Sequence, residues 1–150
     1  MPTGDTRRLE RLLSFRREEE ERARGHEAAV LKQVQAARGR VGRLEAQLIA
    51  SRDTPLEFAA GSGLIDAQRY AGRLQESLDA SRRALTQEEA RLAQVRAEVA
   101  KAGRRRLAIE RLADATKLER RQREDAVGQA DLDESGRLRS ARARALMEEG

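Results

Sequence analysis

His26 is the only histidine in the chain, and there is no cysteine. A nucleophilic triad needs Ser or Cys beside His and an orienting acid. Here any such site would depend on one imidazole set between Gly25 and Glu27 in a helical, charged stretch. That context predicts an ordinary helix-surface histidine. No glycine loop ends in Gly-Lys-Ser or Gly-Lys-Thr, so nucleotide phosphate is not cradled in that way. Asp131-Leu-Asp133-Glu-Ser135-Gly136 opens like a calcium-binding loop. The twelfth position of such a loop must supply a bidentate Glu, and here it is Arg142. Carboxylates are abundant, but two paired helices offer no concave site to perturb them. The residues predict no enzyme, no cofactor and no metal site.

The elements that carry these residues are set by apolar spacing. From about 5 to 51 no proline intervenes and strong helix formers dominate. Alternating steps of four and three from Leu9 pass through Leu13, Arg16, Glu20, Ala23, Glu27, Val30, Val34, Ala37, Val41, Leu44 and Leu48. Nine of these twelve positions are apolar, which is a coiled-coil seam. The run Glu18–Glu21 interrupts it and predicts weak packing there. The segment 52–64 breaks the helix: Pro55 disfavours helix at Thr54, and Gly61-Ser62-Gly63 signals a turn. Asp66 or Ser62 is placed to cap the next helix.

A second helix is expected from about 65 to 147. Its seam runs Leu74, Leu78, Ser81, Leu85, Glu88, Leu92, Val95, Val99, Ala102, Arg106, Ile109 and Ala113. At 1.5 Å per residue the two helices would extend about 70 and about 120 Å. The expected fold is all-α: one domain over 1–150, a long antiparallel two-helix coiled coil with the second helix overhanging the first. Reversal at the Pro/Gly loop would place Leu44 opposite Leu74, Val34 opposite Leu85 and Leu9 opposite Ile109. Residues beyond about 114 would then have no partner within the chain. A parallel homodimer of bent helices could use the same seams.

Composition narrows the class further. Charged residues make up 38% and aromatics 2%, with a net charge of +5. Interleaved signs and apolar residues in register argue for long helices over disorder. No apolar run approaches a transmembrane length, and Met1-Pro-Thr-Gly-Asp lacks the features of a signal peptide. The absence of cysteine suits the cytoplasm.

Two surfaces are candidates for partners. The stretch 101–123 carries nine basic and three acidic residues, including Arg104, Arg105, Arg111, Lys117, Arg120 and Arg121. No aromatic lies there to stack on bases, so nucleic acid is disfavoured. A solvated helix face is the plain reading, and docking of an acidic protein the functional one. Tyr70, the only tyrosine, precedes Leu74 by one turn. It either packs over Phe58 or Leu56 or stands exposed as an interface anchor.

The opening Arg8-Leu9-Glu10-Arg11-Leu12-Leu13-Ser14-Phe15-Arg16-Arg17-Glu18-Glu19-Glu20 resembles the start of the FliJ family of flagellar export proteins. Tyr70-Ala-Gly-Arg-Leu74-Gln-Glu-Ser-Leu78 resembles its segment after the loop. Arg106-Leu-Ala-Ile-Glu110-Arg-Leu112 and Leu132-Asp-Glu134 resemble its later elements. Thr6 departs from a common aromatic, and Arg105-Arg106 from the usual Lys. The resemblance implies a stalk of a type III export apparatus, partnering the hexameric export ATPase, the cytoplasmic domain of the export gate and export chaperones. By position, Tyr70, Leu74, Ser77 and Ser81 correspond to the gate-facing surface. It further implies a protein that is cytoplasmic, peripheral to the inner membrane without inserting in it, and mainly monomeric when alone. The alternatives are a stalk of virulence type III secretion, a generic coiled-coil scaffold, and a basic nucleic-acid-binding rod.

Overall fold

The computed structural model describes residues 3–53 and 62–149. Residues 54–61, among them Leu56 and Phe58, lie outside the described residues. Two α-helices account for the fold: α1, Gly4–Arg52, and α2, Ser62–Glu148. They match the expected 5–51 and 65–147 closely, with α2 beginning three residues early. No strand occurs among the described residues. At the start of α1, Thr3 Oγ1 accepts a bond from the Thr6 backbone N–H at 3.3 Å, satisfying a donor that the helix leaves unpaired. Asp5 in the same turn complements the positive end of the helix dipole.

The chain packs as two units, 16–104 and the combination of 1–15 with 105–150. In the first, two clusters fill the interface between the helices. One holds Val30, Val34, Leu92 and Val95, with Leu31 and Leu85 against it. The other holds Val41, Leu48, Leu74 and Leu78, with Leu44, Ala71 and Leu85 against it. The later residues of α1 thus meet the earlier residues of α2, so the helices are antiparallel. Every position of both expected seams is buried or half-buried. The Glu18–Glu21 run does not open the interface. Glu20 is only 6% exposed, and its Oε1 lies 2.7 Å from Arg24 Nη2. Opposite it, a Cβ built on Gly103 would come 3.5 Å from Glu20 Oε1, so a carboxylate fits within the seam.

The register corrects one expectation. Leu44 does pack on the cluster holding Leu74, and Leu85 on the one holding Val34. The layers themselves, however, run Val30 and Val34 with Leu92 and Val95, and Leu48 with Leu74 and Leu78. In the other unit Leu9 and Leu13 share a crevice with Ala113 and Thr116, where Ile109 was expected opposite Leu9. The helices are therefore displaced by about one heptad. A seam that repeats every seven residues keeps apolar on apolar after such a slide, so the flanking residues decide. Arg82 pairs with Glu45 at 3.1 Å, Arg38 with Glu89 at 3.3 Å and Arg96 with Glu27 at 3.7 Å. Arg91 donates to Gln33 at 3.2 Å. In the expected register Glu20 would have faced Val99, whereas here it faces the small Gly103. Exposed ion pairs contribute only about 0–1 kcal/mol each, enough to choose between registers of equal apolar content.

The same displacement moves the overhang. Ala113, Thr116 and Arg120 are half-buried, and every described residue from 121 to 149 is exposed. The unpartnered arm begins at 121 instead of about 114.

Two measurements check this packing. Val34 is fully buried, so Val34→Asp should destabilise by about 3–5 kcal/mol, the penalty of an uncompensated buried charge. Arg38→Glu, at an exposed pair, should cost about 1 kcal/mol or less; thermal melting followed by circular dichroism distinguishes the two. For the register, Glu45→Cys with Arg82→Cys should be joined efficiently by a short bismaleimide in the otherwise cysteine-free chain. Glu45→Cys with Arg73→Cys, the pair of the other register, should not.

Candidate functional site

Within the 16–104 unit, the four residues expected to form one gate-facing surface separate. Leu74 is 7% exposed and belongs to the core. Ser81, seven residues on, is half-buried on the same seam. Tyr70 is 47% exposed and Ser77 exposed. Spacings of seven place Tyr70 with Ser77 and Leu74 with Ser81 on two neighbouring stripes of α2, and only the first reaches solvent.

Three further apolar side chains stand exposed, Ile49 near the end of α1 and Leu64 and Ile65 near the start of α2. Sequence reading passed over them because it followed the seam. Their one signal was being apolar at positions off it. Glu45, Leu48, Ile49, Arg52, Gln75, Leu78 and Arg82 line a shallow hollow across the two helices, where the Arg82–Glu45 pair lies.

The other unit carries most of the basic candidates. Arg105, Arg111, Lys117 and Arg121 are exposed, and Arg120 is half-buried with its Nε 3.2 Å from Glu124 Oε1. Arg104 is exposed at the edge of the first unit. Lys117 and Arg120 rim a small crevice whose floor is Leu9, Leu13 and Ala113, with Thr6, Glu10 and Thr116 completing it. Nothing in the sequence pattern announced this crevice. It exists because α1 starts beside the middle of α2, leaving small residues, Ala113 and Thr116, opposite two leucines.

The chemical candidates stay apart. His26 is exposed on α1. Asp131, Asp133 and Arg142 lie exposed on continuous helix, not on a cation-binding loop. Among the described residues no group of His, Cys, Asp and Glu is arranged to hold a metal. None of the described helices is long and apolar enough to cross a membrane.

Two long antiparallel helices, with charged surfaces and a continuing helical arm, define an all-α helical-hairpin protein. The family model described as "Flagellar FliJ protein" matches residues 5–145. The chain belongs to the FliJ family and is a component of the flagellar type III export apparatus. No curated protein and no solved structure matches it.

The burial difference along α2 generates a direct test. Tyr70→Ala should change unfolding free energy by about 0.5 kcal/mol or less, as surface substitutions do. Leu74→Ala should cost about 2 kcal/mol or more through the cavity it leaves. Urea denaturation of the two variants measures both.

Proposed function

We propose that this chain is the non-enzymatic stalk of the flagellar export apparatus, binding the hexameric export ATPase through the 1–15 and 105–150 unit and the cytoplasmic domain of the export gate through Tyr70 and its exposed neighbours. The observation that carries the reading is the family match over 5–145. It is supported by an arm, 121–149, whose every residue faces solvent. A helix so long and polar gains little stability without a partner, which favours a binding role for it.

The basic residues suit an acidic protein surface. Arg111, Lys117 and Arg121 have no ion-pair partner among the described residues, so binding would not first break internal pairs. Export chaperones are a further partner class, delivered to the same apparatus. The protein would sit at the cytoplasmic face of the inner membrane through these contacts. The family's description favours the flagellar over the virulence apparatus. A generic scaffold has no comparable support, and neither does nucleic acid, since the basic stretch lacks aromatics.

A stalk accelerates its ATPase only by binding some states of the ring better than others. The purified chain should therefore show no ATP turnover and raise that of its cognate export ATPase. Truncation after Arg120 should reduce the stimulation severalfold while leaving the melting temperature nearly unchanged, because no core residue is removed. An ATPase rate unaltered by the full-length chain would refute the stalk reading.

A further inference from the structure

Along the arm, charge is segregated. Residues 124–134 hold Glu124, Asp125, Asp131, Asp133 and Glu134 and no lysine or arginine. Two apolar side chains stand out among them, Val127 at 62% and Leu132 at 69% exposed. Just before this segment lies the crevice floored by Leu9, Leu13 and Ala113 and rimmed by Lys117 and Arg120. Arg7, one turn before Glu10, and Arg121, one turn after Lys117, extend the basic side. Among the described residues Arg7, Lys117 and Arg121 have no ion-pair partner, and neither do Asp131 and Glu134. Glu10 is the one carboxylate on the rim.

We infer that a second copy of this chain seats its acidic arm segment, 124–134, on this crevice, and that the contact is reciprocal. The chain's own arm cannot occupy the site. Lys117 and Asp131 lie on one uninterrupted helix, which holds them about 21 Å apart along its axis. An antiparallel partner removes that obstacle. Because crevice and acidic segment are successive on α2, a two-fold axis passing near Asp125 brings each onto the other at once. The interface is isologous and closed. Lys117 then faces the region of the partner's acidic cluster, and Leu132 supplies an apolar group for the leucine floor.

Charge also limits the contact. Beyond the acidic segment come Arg137, Arg139, Arg142 and Arg144, which would run toward Arg105, Arg106 and Arg111 of the first molecule. Their repulsion confines the interface to the acidic segment. Exposed ion pairs contribute little each and are screened by salt, so the dimer is weak. It forms at high protein concentration in low salt and dissociates to monomer on dilution or at high salt.

This association is independent of the export reading, and the purified chain alone tests it. Sedimentation equilibrium of the wild type in low salt should show a monomer–dimer equilibrium that about 0.5 M salt abolishes, a length-scale effect of screening. Lys117→Glu with Arg121→Glu, and separately Asp131→Lys with Glu134→Lys, should each raise the dissociation constant at least tenfold. All four positions are exposed, and circular dichroism melting establishes that both variants fold. Mixing the two variants makes both contacts complementary again, so a heterodimer should form where neither variant pairs with itself. A wild type that stays monomeric in low salt, a dimer indifferent to the reversals, or variants that fail to associate on mixing would each overturn the proposal.

Discussion

The structure depends on one narrow apolar seam. Val30, Val34, Val41 and Leu48 on α1, with Leu74, Leu78, Leu92, Val95 and Ala102 on α2, are the buried apolar residues among those described. Each large side chain so buried contributes roughly 1.5–3 kcal/mol. A seam one or two side chains wide removes little water and encloses no volume. Most side chains therefore stand on outward faces. The chemistry of those faces is set by residues the seam does not use.

Within that seam, polar residues refine the pairing instead of driving it. Glu20 occupies a core position beside Arg24 and opposite Gly103. A charge held in this way adds little net stability, since desolvation offsets attraction. It does favour the register that sets it against the small Gly103, as a polar core residue fixes register in other coiled coils. The exposed pairs Arg82–Glu45 and Arg38–Glu89 act in the same direction along the edges.

The difference in helix length has its own consequence. α1 has 49 residues and α2 has 87, so α2 continues past the start of α1 and exposes its whole circumference from 121 onward. Such a segment lacks a consistent apolar stripe and instead alternates acidic and basic blocks. Blocks of one sign recognise complementary surfaces and tune association with ionic strength, whether the surface belongs to an export component or to another copy.

What the sequence by itself determined was the class of fold, both helices, and membership of every seam position, because burial follows a seven-residue period that can be counted. It also excluded the calcium loop, since Arg142 cannot replace a bidentate Glu. The family was legible from ordered segments spread over the chain. The tertiary structure decided the register, since a periodic seam is unchanged by a slide of one period, and only contacts across the interface distinguish the alternatives. From the register came the start of the arm at 121 and the crevice between Leu9, Leu13 and Ala113. The division of Tyr70 and Ser77 from Leu74 and Ser81 lay half within reach of the sequence. Leu74 and Ser81 were already on the counted seam, but which residues beside a seam stay wet depends on how closely the second helix covers its edges.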